Sequence, residues 1–249
     1  MRILACVKQV PDTMDVKLND DFTLQREHVA QVLNPADESA VELGLAVRDE
    51  VGGTLTILTM GPARVQNTLR EILSRGADKA YQLTDSAFAG SDTLATARTL
   101  QAAIYQLGGF DLILCGRRAA DGETGQVGPM LASLMNIACV PNAVRAHIEG
   151  TQARVAQLTE EGIQNWQCSL PALITLCEWS YRLRLPSLAG LKHARYAEIP
   201  RMTLSDLAME RGKTGLKGSP TRVVQVNVRN IGIRECRMVD IPKLLEILP

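Results

Sequence analysis

Five short, mainly apolar runs, residues 1–7, 54–60, 79–83, 110–115 and 138–140, are separated by stretches that read as helices. A strand with one face in water alternates apolar and polar residues; runs such as RILACV and LILC leave no polar face and need cover on both sides. The pattern therefore predicts an α/β fold, an open parallel sheet flanked by helices. Asn34-Pro35 marks a helix start, with Asn34 as cap and Pro35 in the first turn, and Gly52-Gly53 ends that helix. Further helices are expected over 63–74, from Ser91 or Asp92 to about 106, and over 125–135. Residues 8–13 read as a loop, and the polar stretch up to 26 as room for a small hairpin.

The second half is less regular. Residues 145–148, 152–158 and 162–168 read as short strands, and 170–177 as a further core strand. Residues 179–200 hold two prolines and little periodicity, and read as an extended excursion. RGKTGLKGSPTR, residues 211–222, reads as a Gly/Lys-rich loop, and 241–248 as a docked terminal helix.

Charge and composition weigh against several classes. Lys and Arg number 27 against 27 Asp and Glu, so the chain as a whole offers no attraction to nucleic acid or an anionic membrane. No run of about 18 apolar residues suggests a membrane span, and a cytoplasmic location is expected. The six cysteines form no CxxC pair and mostly sit in apolar runs, as buried thiols do. His28, His147 and His193 have no ligand-like spacing, so no metal site is expected.

In an open parallel sheet ligands bind beyond the carboxyl ends of the strands. Four loops qualify, over residues 6–13, 33–38, 59–63 and 115–130. The last, GRRAADGETGQVGPM after Cys115, has four glycines just ahead of a helix and can offer backbone N–H groups to a phosphate. Thr124 and Gln126 add hydrogen-bonding side chains. The same loop also reads as a surface turn with glycines at positive φ. It is neither a GxGxxG fingerprint nor a GxxxxGK[ST] loop, and no GxSxG or HExxH motif occurs. Asp37, Glu38, Asp121 and Glu123 fall in the same loops, either as partners of helix dipoles or as an acid–base set. No catalytic side chain is assigned.

The chain resembles the beta subunit of the electron transfer flavoproteins over nearly its whole length. The likeness is carried by CVKQVPDT (6–13), NPADESAVELGL (34–45), SRGADKAYQLTD (74–85), GSDTLATARTL (90–100), DLILCGRRAADGETGQVGP (111–129) and GLKGSPTRV (215–223), in that order and spacing. The resemblance implies an adenine-nucleotide alpha-hydrolase-like fold with an extended C-terminal region. It implies three parts: a nucleotide- or FAD-binding domain over 1–178, a partner-docking recognition loop over 179–200, and an extension over 201–249 that wraps an alpha subunit in an obligate heterodimer.

For the pocket the resemblance implies Cys6, Val7, Asn34, Asp37, Thr59, Gly61, Thr93, Thr96, Gly116, Asp121, Thr124, Gly125, Gln126, Val127 and Gly128. It holds AMP in the simple carriers and FAD in electron-bifurcating members; DTLATA and ETGQVG resemble the latter, although Thr93 and Thr96 also suit local helix capping. The bifurcating type implies NADH as donor, with ferredoxin or flavodoxin and an acyl-CoA or related dehydrogenase as acceptors. An adenine-nucleotide-binding module without a redox role is the other class the glycine-rich loop allows. Leu185 matches the leucine that anchors such subunits to the dehydrogenase. Read without the resemblance, Leu183 and Leu185 also suit inward packing on an edge strand. HARYAEI at 193–199 departs from the family's lysine-rich stretch.

Overall fold

β1 (Arg2–Val7) is buried from Ile3 onward and forms the centre of the sheet, as its unbroken apolar run requires. The computed structural model describes residues 1–12, 30–224, 240, 241 and 243. After β1 come β2 (Gln9–Pro11) and β3 (Gln31–Leu33), a small antiparallel ladder where a loop was expected, and then α1 (Pro35–Val51). β4 (Thr54–Met60), α2 (Gln66–Ser74), β5 (Lys79–Leu83), α3 (Thr93–Gln106), β6 (Leu112–Gly116) and α4 (Val127–Met135) continue the strand–helix alternation. β7 (Ala138–Glu149), β8 (Gln152–Thr159), β9 (Gly162–Ser169) and β10 (Ala172–Leu176) follow. α5 (Leu188–Tyr196), β11 (Arg201–Met202) and α6 (Gly215–Gly218) complete the described elements.

The main sheet has the order β11-β5-β4-β1-β6-β10-β7-β8-β9. It is parallel from β11 to β7, and β8 and β9 add antiparallel strands beyond β7. α1, α2 and α5 contribute to the apolar cluster on one face, with Val41, Leu43, Leu69, Ile72 and Ala194. α3 and α4 contribute to the cluster on the other, with Leu100, Ile104, Leu131 and Ala132.

The largely parallel sheet flanked by helices is as expected, and three finer readings need correction. Residues 138–140 and 145–148 are one twelve-residue strand, β7, which then pairs antiparallel with β8. Residues 179–200 contain a helix, α5, whose only fully buried residue is Ala194, so no apolar stripe advertises it. Within 211–222, Thr214, Gly215, Gly218 and Ser219 are buried against α3 and its preceding loop, so this is a packed segment. The expected hairpin before residue 26 lies outside the described residues, as does most of the 241–248 helix.

Candidate functional site

The chain leaves β1 towards β4 and β5 on one side, then returns to lay β6 and β10 on the other. The strand order therefore reverses between β1 and β6, where loops diverge and leave a crevice at the carboxyl ends. Cys6 and Val7 end β1, Thr59 and Gly61 lie at the end of β4, Gly116 ends β6, and Asn34 and Asp37 open α1. Thr93 and Thr96 are in the first turn of α3, and Asp121 to Gly128 lead into α4. The fold thus gathers all the residues named for the pocket on one edge of the sheet.

Several of them turn their polar atoms to the protein. Asp37 is buried, with one carboxylate oxygen accepting the N–H of Lys8 at 2.7 Å and the other the N–H of Gly116 at 2.8 Å. Burial pushes its pKa up to about 7, against the pull of those two donors, Asn34 and the Lys8 charge. Asn34 occupies the cap position of α1, yet its side chain does not cap. Nδ2 donates to the Arg118 carbonyl at 2.9 Å and Oδ1 accepts the N–H of Ala120 at 3.0 Å, so it pairs with the glycine-rich loop. Asp121, its side chain 2% exposed, meets Lys8 Nζ at 2.6 Å.

The acid–base reading of the carboxylates fails on this geometry. Asp37 and Asp121 are tied to loops, Glu123 is exposed, and Glu38, its pKa raised by burial against the pull of Arg75, faces the end of α2 rather than Asp37. Cys6 and Cys115 are register partners on β1 and β6 and are buried. Burial, then the Asp37 charge, pushes the Cys6 thiol up to about 12, so no thiolate nucleophile is presented there. Among the described residues no three His, Cys, Asp or Glu side chains converge on a possible metal position.

The two helix starts differ. Asp92 caps α3 by accepting the Ala95 N–H at 2.9 Å, and it also accepts Thr221 Oγ1 at 2.7 Å. Although burial opposes its charge, those donors hold its carboxyl below the usual range. The start of α3 is thus already satisfied by an anion. α4 has no side-chain cap at Gln126, and Gly125 precedes it at φ +62°. Thr93 Oγ1 donates to Gln126 Oε1 at 3.1 Å, linking the two starts, while Thr124 is exposed beside them.

Close approaches explain two glycines. A Cβ on Gly116 would meet the Asp37 carboxylate and, at 2.7 Å, the Ala36 Cβ; one on Gly128 would meet Thr175 Cγ2 at 2.6 Å. Thr59 Oγ1 and Gln82 Oε1, on register partners of β4 and β5, are buried with no hydrogen-bond partner among the described residues. These glycines let the loops pack closely on the protein, while the uncapped start of α4 and the orphaned polar atoms fit a nucleotide.

Sequence reasoning missed the cationic rim. Lys8 pairs with Asp121; Arg117 and Arg118 lie 2.7 and 3.0 Å from Glu178, just past β10. Burial opposes the Glu178 charge, yet its own backbone N–H and both arginines hold the carboxyl below its ordinary range. The Arg-Arg pair following a strand-end glycine was the available signal.

Farther along, Leu185 is 83% exposed, whereas Leu183 packs against the core cluster. The inward-packing reading therefore holds for Leu183 and fails for Leu185. No helix among the described residues is long and apolar enough to cross a membrane.

Residues 21–207 match the family model described as the electron transfer flavoprotein domain. The chain is 41% identical over 232 residues to the electron transfer flavoprotein subunit beta of Thermoanaerobacterium thermosaccharolyticum, covering 92% of this chain and 89% of that protein. It is 37% identical over 249 residues to protein FixA of Azorhizobium caulinodans, with 96% and 89% covered. It is also 40% identical over 225 residues to the caffeyl-CoA reductase-Etf complex subunit CarD of Acetobacterium woodii, with 90% and 86% covered.

Proposed function

The chain belongs to the electron transfer flavoprotein family, and on that premise we propose that it is the beta subunit of a cytoplasmic heterodimer whose crevice between β1 and β6 holds FAD. The observation that carries the nucleotide is the start of α4, uncapped, preceded by Gly125 and set at the strand-order reversal. Thr93 and Gln126, joined across the two helix starts, bring polar side chains of both elements to one place, which suits a ligand with two linked phosphates. Asn34, Asp37 and Lys8 act one step back. They hold the loops that bind and so pre-organise the N–H groups.

FAD, when bound, supplies the redox chemistry; this chain's residues bind and orient it. With the alpha subunit and its own FAD, the complex takes an electron pair from NADH. One electron goes to ferredoxin or flavodoxin and the other to an acyl-CoA or related dehydrogenase. The relative named for a caffeyl-CoA reductase-Etf complex supports an acyl-CoA partner. Leu185, exposed among Arg182, Leu188 and Lys192, suits an apolar pocket with an acidic rim on that dehydrogenase. Released-cofactor analysis of the alpha–beta complex tests the reading: two FAD and no AMP are expected.

A second reading places AMP in the pocket of a non-bifurcating carrier. It is favoured by Asp92, whose carboxylate already serves α3 and leaves α4 as the open start, enough for one phosphate. One FAD and one AMP per complex would establish it instead.

A further inference from the structure

Between β10 and α5 the chain crosses the outer face of α1 and α2 and is tied down at each step. Tyr181 N–H donates to Ser39 Oγ at 3.3 Å, and the Ala146 N–H donates to the Tyr181 hydroxyl at 2.9 Å. Arg184 then makes the densest set of contacts. Its backbone N–H donates to Glu42 Oε2 at 2.9 Å, and its Nε and Nη2 fork onto the same carboxylate at 3.1 and 2.9 Å. Nη1 reaches Asp49 Oδ2 at 2.7 Å, and its carbonyl accepts Arg75 Nη1 at 2.7 Å.

Glu42 has a side chain only 15% exposed, so this fork works in a reduced dielectric, and its planar two-point geometry fixes orientation as well as distance. α5 is held just as closely. A Cβ on Gly190 would collide with the Ser74 carbonyl, and Arg70 Nη1 donates to the Ala194 carbonyl at 2.6 Å. Yet the residues this framework carries outward, Leu185 and Leu188, are 83% and 88% exposed. A backbone this firmly bonded beneath bare leucines is a rigid display rather than a loose excursion.

We propose that Arg184 is a positioning residue: locked to Glu42 and Asp49 of α1, it fixes residues 182–187 before the dehydrogenase arrives and presents Leu185 already ordered. The proposal rests on the docking role given to Leu185 above. A segment ordered in advance loses no conformational freedom on binding, so the clamp acts on affinity and not on the electron-transfer step.

The test uses the alpha–beta complex with its dehydrogenase. In Arg184→Ala and in Glu42→Gln the half-saturating dehydrogenase concentration should rise about tenfold, as for a substantial interface residue. Turnover at saturation and flavin content should stay unchanged. Arg184→Lys, which keeps the charge and loses the fork, should fall between. The double variant should be no worse than the weaker single, and amide exchange over residues 181–187 should quicken in the free complex. Leu185→Ala runs beside them. If it impairs saturation while Arg184→Ala alters neither saturation nor exchange, the clamp is overturned and docking stands. If both leave saturation unchanged while Arg184→Ala quickens exchange, docking is overturned and the clamp survives as a structural tie.

Discussion

Asp37 accepts the backbone N–H of Gly116 at 2.8 Å across 79 residues of sequence, and so fastens the first turn of α1 to the end of β6. The other oxygen takes the N–H of Lys8, which makes one carboxylate the common anchor of the two strands that border the crevice. Asp37→Ala would leave both N–H groups without an acceptor. Each such loss costs about 1–3 kcal/mol, so the urea midpoint of the complex should fall accordingly. Nucleotide retention on gel filtration should fall with it.

The same carboxyl gives a pH dependence of definite sign. Its pKa is raised by burial from 3.8 to about 7, so the folded chain holds this proton more tightly than the unfolded one. The contribution is fully present below pH 3.8 and is lost as pH rises through about 7. Stability should therefore decline across pH 4.5 to 7.5 with a slope of at most about 1.4 kcal/mol per pH unit. Asp37→Asn should flatten that slope while lowering the midpoint throughout, because its amide turns a donor towards one of the two N–H groups. Urea midpoints measured at half-unit pH steps check both.

Much of this arrangement was legible in the sequence, and the reason is local. β1, β4, β6 and β10 are mainly apolar runs without a polar face, which favour a doubly covered sheet, and Asn34-Pro35 ahead of an apolar periodic stretch suits a helix start. A ligand crevice then follows from strand order. What the sequence hid are choices of partner over long separations. Asn34 bonds loop residues 84 and 86 positions away, and Arg184 finds Glu42 at 142. Nothing in either local pattern names those partners. α5 escaped notice because a helix held by its backbone needs no amphipathic stripe.

Gly128 offers a test of the close glycine packing. In an ordinary helix Ala is favoured over Gly by about 1 kcal/mol, but here a Cβ would lie 2.6 Å from Thr175 Cγ2 and 3.0 Å from Cys115 Sγ. α4 would have to lift away from β10 and β6. Gly128→Ala should cost about 1–3 kcal/mol as overpacking does, and should weaken nucleotide binding by moving the helix start. Gly122→Ala, where a Cβ meets nothing within 4 Å, should change neither. Thermal melts and nucleotide titrations on the pair separate crowding from a general intolerance of the loop.

Lys8 and Asp121 give the last prediction, and its content is an asymmetry. Their ion pair spans 2.6 Å, but the lysine side chain is 41% exposed and the aspartate only 2%. Lys8→Met removes the cation beside a carboxylate that water barely reaches, which should cost about 1–3 kcal/mol once the partial solvation of the pair is discounted. Asp121→Asn leaves a lysine that water can still reach, and should cost less. Combining the two removes both charges of the pair, so the double variant should cost less than the sum of the two single variants. Equal costs that simply add in the double would mean that the loop over 117–126 is held chiefly by Asn34. Urea denaturation of the four proteins, read as a double-mutant cycle, decides between these outcomes.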